Sequence, residues 1–376
     1  MSDKKEVTGP NKGGAEKPAR MMSIDALRGF DMFFILYGAA IIVAVAKMCG
    51  ADNSFWLIQQ MTHVPWEGLH QHDTIFPLFL FLAGVTWPFS LAGQLAKGRS
   101  AWQIHLKVVW RATALVLLGM LLNGLLVSPS EHFRLGSVLG VIGSSWGAAA
   151  ILFMHVKRPR LRLALPFILL FGVWAAMALA GGHYAPDQNA FVSLRRTLTA
   201  AVSPGFAEIV CAFDILPTGA AQAFLGMLAG TLLRREDLSG KAKTLWLLRA
   251  AAVLFVLTLV FVYVLRMPII KNMWTSSFVL ATSTYSAVLL ALFYWIIDVK
   301  GWRRWTFFFR VIGANSILAY LIMMTSAGSP IKHYLFCRLG NAVPVWLAPT
   351  VGQIGYLASA WIILYFLYRN KAFLRV

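Results

Sequence analysis

Ten stretches of this chain each hold about twenty mostly apolar residues, the length an α-helix needs to cross a bilayer. They fall at roughly 27–48, 73–95, 108–128, 136–156, 163–182, 216–233, 246–265, 274–298, 306–327 and 348–368. In hydrocarbon every backbone N–H and C=O must find a partner inside the protein, so such stretches fold as helices. Of the 376 residues, 59% are hydrophobic and only 13% charged, about half the roughly 25% of a soluble domain. That charge cannot coat a water-facing surface, which excludes a soluble enzyme and a disordered chain. The expected fold is an all-α integral membrane bundle of about ten helices, forming one domain over 23–376. Residues 1–22 are rich in Lys, Gly, Pro and Glu and read as a disordered tail. The sixth stretch is the shortest, and its Gly219, Gly226 and Gly230 predict close helix packing.

The basic residues set the orientation. With the amino terminus inside, 26 of the 34 Lys and Arg fall on the inner side and eight on the outer. Both termini are then cytoplasmic, and the 183–215 and 328–347 loops are outside and long enough to hold a re-entrant segment. The net charge of +19 therefore marks topology and contact with anionic lipid. It is not a nucleic-acid footprint, because basic and aromatic residues do not interleave in a soluble module. Cys49, Cys211 and Cys337 all fall at or near the outer side. An oxidising compartment permits a disulfide there, while small buried apolar residues are the plainer reading.

Where charges are scarce, polar residues at membrane depth are informative. The loop into the second span carries His63, Trp66, Glu67, His70, His72 and Asp73. A neutral histidine nitrogen there can accept a proton or attack an acyl carbonyl. Read blandly, Asp73 is a helix cap; read as a metal site, His63, His70 and His72 lack a recognised ligand spacing. At the first span, Asp25 and Arg28 lie three apart on one helix face and can pair, with Asp31 about one turn deeper. Lys271 to Ser277 opens the eighth span, and Gly313-Ala314-Asn315-Ser316 enters the ninth. No strong nucleotide-binding or zinc motif is present.

Taken together, these residues resemble the transmembrane acetyltransferases of the heparan-α-glucosaminide N-acetyltransferase family. The resemblance rests on Ser23-Ile24-Asp25-Ala26-Leu27-Arg28-Gly29; on His63-x-x-Trp66-x-Gly68-Leu69-x-x-x-Asp73-x-x-Phe76-Pro77; and on Arg134 with Gly136-Ser137-Val138-Leu139. It continues through Asp214, Lys271-Asn272-Met273-Trp274-Thr275, Asp298-Val299-Lys300-Gly301, Asn315-Ser316-Ile317-Leu318 and Leu367-Tyr368-Arg369-Asn370-Lys371. Two departures are Ala39, where family members carry Asn, and Gly140-Val141 in place of Gln-Arg.

The resemblance implies transfer of an acetyl group from cytosolic acetyl-CoA to the amine of a terminal glucosamine across the membrane, with no metal. It assigns His63 as the active histidine and Asp73 as its loop carboxylate. Around the acceptor it suggests Trp66, Glu67, Asp214, Lys271, Trp274 and Asn315; for the coenzyme phosphates, Arg28, Arg111 and Arg310 lie nearest the inner edge. It further implies a bacterial cytoplasmic membrane and a dimer. Two rival readings stand beside it: a secondary transporter using Asp31 as an ion site, and an acyltransferase acting on polysaccharide hydroxyls.

Overall fold

A computed structural model describes residues 21–123, 137–201, 214–325 and 343–374. The amino-terminal tail, Arg134, Cys211 and Cys337 lie outside them. The described residues form helices and two isolated β-bridges, with no strand among them. In chain order the helices are α1 Met22–Met48, α2 Trp56–Gln60, α3 Gln71–Leu95, α4 Ala101–Leu122, α5 Val138–His155 and α6 Pro159–Leu179. There follow α7 Ala190–Ala201, α8 Leu216–Leu233, α9 Gly240–Val264 and α10 Ser276–Val299. The last are α11 Arg304–Ala314, α12 Ser316–Met324 and α13 Ala348–Arg369. Nine of these are long and apolar enough to cross a membrane. The tenth expected span is the pair α11–α12, bent by 66° at Asn315. The protein is an all-α, multi-pass membrane protein.

Helices α4 and α9 begin about two turns earlier than hydropathy predicts. Serine caps explain both: the Ser100 side chain accepts from the Gln103 N–H, and Ser239 from the Ala242 N–H. These caps supply partners where the first backbone donors have none within the helix.

Helix α8 is the hub, packed on α3, α5, α6 and α10. Its glycines do what the sequence predicted. A Cβ on Gly226 or Gly230 would strike the carbonyl oxygen of Phe81 or Val85, and one on Gly84 would strike that of Ala223. Helices α3 and α8 thus touch backbone to backbone. Gln222, fully buried on α8, donates to the Pro77 carbonyl at 3.2 Å and accepts from Ser283 at 2.8 Å, tying α3, α8 and α10 together. Gly29 and Gly313 make a second close crossing between α1 and α11. We expect Gly226→Ala to cost about 1–3 kcal/mol by overpacking. Gly172→Ala, whose Cβ would meet nothing within 4 Å, should be neutral or slightly stabilising. Thermal unfolding in detergent compares the two; equal midpoints would refute the close crossing.

Two interruptions position the interior. Within Phe34–Gly38, Leu36 and Tyr37 leave helical geometry, with Tyr37 at φ 72°. The second is the bend at Asn315. Irregular backbone at membrane depth persists where it is covered by protein or lines a cavity, and both breaks border the cavities described below.

Loops on the expected outer side meet one another. Trp66 Nε1 donates to the Tyr184 carbonyl at 2.8 Å, and Gly68 N to the Ile269 carbonyl at 2.9 Å, joining predicted outer loops. At the opposite end Asn315 bonds Ala372 and Leu374, and Arg310 bonds Tyr368 at 3.4 Å.

Candidate active site

The site grows from one turn. The chain enters α3 through a short 3-10 segment, Gln71–Thr74, which buries Asp73 at 1% exposure. Two backbone amides, Val64 N and His70 N, donate to its Oδ2, both at 3.2 Å. Asp73 therefore caps its own helix start and also clasps the loop before it. The other oxygen, Oδ1, lies 2.7 Å from His63 Nδ1 and 3.1 Å from Lys271 Nζ.

Protonation states follow from this arrangement. An ionised carboxylate only accepts, so Nδ1 of His63 carries the proton and donates it to Asp73. In the neutral imidazole with this tautomer, Nε2 carries the lone pair. Lys271 Nζ stands 2.8 Å from Nδ1 and 3.3 Å from Nε2, against the imidazole and the carboxylate at once. The His63 side chain is 55% exposed.

Lys271 arrives from 208 residues away. An antiparallel bridge between Glu67 and Ile270 clips the two loops together. Trp274 adopts φ 45° at the end of that loop and is 3% exposed, packed on the Phe76 ring at 5.0 Å. It backs Phe76 and is not among the cavity-lining residues. Glu67 contributes through its backbone, and its side chain is exposed. Trp66 anchors the loop. Asp214 stands two residues before α8. Cys49 is exposed, not buried as the sequence suggested, because it sits just past the end of α1 rather than within it.

Two cavities run inward. One, about 340 Å³, is lined by His63, His72 and Lys271 at its mouth and by Met32, Phe34, Phe76, Phe79, Tyr320 and Ile317 below. The other, about 490 Å³, is lined by Arg28, Lys107, Arg111, Trp110, Trp146, Phe79 and Ile317. Phe79, Leu139, Ile142, Ser316 and Ile317 line both. A cationic mouth at one end of the bundle and a histidine mouth at the other thus share one apolar waist.

The cationic mouth fits a phosphorylated ligand with a long apolar arm. Arg111 Nε is buried with no hydrogen-bond partner among the described residues. Its guanidinium lies 4.5 Å over the Trp146 ring. Arg28 Nη2 donates to Thr86 at 3.1 Å. Arg310 lies apart, in a neighbouring hollow with Asp25, Tyr368 and Lys371. Asn315 is 2% exposed, and both ends of its amide are engaged with Ala372 and Leu374. That places its polar atoms toward the carboxy-terminal segment, away from the His63 cluster.

Sequence reasoning passed over two lining residues. Lys107 sits one helical turn before Arg111 and faces the same cavity. His72, read with its neighbours as a metal ligand or a proton acceptor, lies 4.6 Å from the His63 ring and tilted against it, and its buried Nδ1 lacks a partner among the described residues. A histidine next to Asp73 carried the signal. Among the described residues, no group of three His, Cys, Asp or Glu could hold a metal.

No family model matches the chain. Comparison with curated proteins gives heparan-alpha-glucosaminide N-acetyltransferase of Homo sapiens, 24% identical over 374 aligned positions that cover 81% of this chain and 52% of that protein. The chain is similar in sequence to this acetyltransferase. The protein of the same name from Mus musculus is 24% identical over 378 positions, 83% of this chain and 55% of its own. The chain thus spans about half the length of the curated relatives it matches. The family read from the motifs is the family the comparison finds.

Proposed function

We propose that this chain is a transmembrane N-acetyltransferase. It takes the acetyl group of cytosolic acetyl-CoA and delivers it to the amine of glucosamine, or of a glucosamine-terminated saccharide, on the outer face of a bacterial cytoplasmic membrane. The observation that carries this reading is the pair of cavities meeting at Phe79, Ile142 and Ile317, with Arg28, Lys107 and Arg111 at one mouth and His63 at the other. Acetyl-CoA is too charged to cross a bilayer, so a donor and an acceptor on opposite sides need such a passage.

In this reading Arg28, Lys107 and Arg111 hold the coenzyme phosphates by charge-assisted hydrogen bonds. The apolar waist accepts the uncharged arm and brings the thioester to His63. His63 Nε2 either removes the proton from the sugar ammonium or itself attacks the thioester carbonyl. In the second route the N–C bond forms, the C–S bond breaks, and the thiolate leaves with the coenzyme. The sugar amine then displaces the imidazole and loses its proton. Asp73 holds the imidazole in the Nδ1–H form for both routes. The Lys271 ammonium offsets negative charge developing on the carbonyl oxygen. Alignment of both substrates at one nitrogen makes the transfer effectively unimolecular.

Release of free CoA thiol by detergent-solubilised protein tests the reading. Thiol release should rise with glucosamine and not with N-acetylglucosamine. A transporter would give none, and transfer to hydroxyls would respond to both sugars. Arg111→Gln should raise KM for acetyl-CoA about 10–100-fold, the weight of one hydrogen bond to a charged group, with kcat nearly kept. An unchanged KM would remove Arg111 from the coenzyme site.

A further inference from the structure

A third cavity, the largest of the molecule's described hollows at about 920 Å³, shares no lining residue with the two that meet at the waist. It opens where α3, α5 and α8 end and α4 and α6 begin, on the predicted cytoplasmic side. Its polar lining is Lys157, Arg162, Arg234, His105, His155 and Thr231, with no Asp or Glu among the described residues that line it. Its floor is apolar, with Leu91 and Ile104. Leu95 at the rim is 57% exposed, and the adjacent Trp102 is 70% exposed, the placement of a side chain at a membrane–water interface.

The polar groups are pre-set. Arg162 Nε donates to the Val156 carbonyl at 2.9 Å and Nη2 to the Phe153 carbonyl at 3.2 Å, with its guanidinium 4.3 Å over the Phe153 ring. His105 Nδ1 and His155 Nδ1 each bond a carbonyl of their own helix, at 2.7 and 2.9 Å. A carbonyl only accepts, so both Nδ1 atoms carry protons and both Nε2 atoms remain for a ligand. The two rings meet edge to face at 5.1 Å.

We propose that this cavity is a binding site for an anionic phospholipid: the phosphate headgroup sits among Lys157, Arg162 and Arg234, and an acyl chain lies along Leu91, Leu95 and Ile104. A soluble anion would leave that apolar floor bare. A coenzyme lodged here would have no passage to His63. Basic pockets between spans on the cytoplasmic side suit anionic headgroups. This site stands independently of the acetyl-transfer reading.

Native mass spectrometry of the full chain in neutral detergent tests it, with phosphatidylglycerol and phosphatidylcholine supplied separately. One phosphatidylglycerol per chain should be retained in preference to phosphatidylcholine. The double variant K157Q/R234Q should bind it about thirtyfold more weakly, given about a fivefold loss per cation. K157R/R234K should retain it. Equal retention of both lipids by the wild-type protein overturns the proposal, whether or not the double variant folds. Unchanged retention in K157Q/R234Q overturns it as well. Displacement by millimolar inorganic phosphate or by coenzyme A would reassign the cavity to a free anion or to the coenzyme, and so reject the lipid.

Discussion

His63→Ala is expected to lower acetyl transfer to glucosamine by about 10³-fold or more while leaving the protein folded. A positioned acid–base group contributes roughly 10²–10⁴-fold, and an acetylated intermediate would be lost altogether. The fold should survive because the side chain is 55% exposed and its partner Asp73 keeps both backbone donors and Lys271. Thermal unfolding beside the rate assay separates the two effects. Incubating wild-type protein with acetyl-CoA alone and searching His63 for an added acetyl group by mass spectrometry then distinguishes the covalent route from direct transfer. A folded His63→Ala protein with the wild-type rate would remove this histidine from the chemistry.

Asp73→Asn should be nearly as severe, at about 10²–10⁴-fold, for a reason that size does not explain. The amide has almost the carboxylate's shape, and its oxygen can still accept from Val64 N and His70 N, so the loop stays clasped. Its NH2 group would then face His63 Nδ1 and donate to it. Nδ1 must surrender its proton, and the hydrogen moves to Nε2, the nitrogen that needs a lone pair; such a tautomer reversal is costly in a histidine–carboxylate pair. Lys271 also loses its counter-charge. The effect should fall on kcat rather than on KM for acetyl-CoA, because the cationic mouth is untouched. A rate within about threefold of wild type would show that Asp73 only caps α3, the bland reading of its position.

The bundle was largely legible in the sequence because a span is a local property. Length, hydropathy and loop charge each need only neighbouring residues, and even the role of Gly226 followed from its place in a short apolar stretch. The breaks were not legible. No proline marks Phe34–Gly38, and Tyr37 takes a positive φ that no residue type there announces. The resemblance placed Asn315 around the acceptor, and nothing local reveals that a segment 57 residues later captures its amide.

The site divides the same way. His63 and Asp73 lie ten residues apart in one loop, and their pairing was within reach. Lys271 joins them only through the Glu67–Ile270 bridge, a register between distant loops. Arg28 and Arg111 share a cavity, but Arg310 does not, although all three had been placed at the same inner edge. Which face of its helix each one occupies depends on the close crossings at Gly29 and Gly313, which are tertiary.

The central claim is that the acetyl group crosses while the coenzyme does not. Proteoliposomes loaded with acetyl-CoA, washed free of external donor and given glucosamine outside, test this directly. N-acetylglucosamine should accumulate outside while CoA stays in the lumen, with none formed by His63→Ala vesicles. Product that forms only when donor and acceptor share a compartment would contradict it.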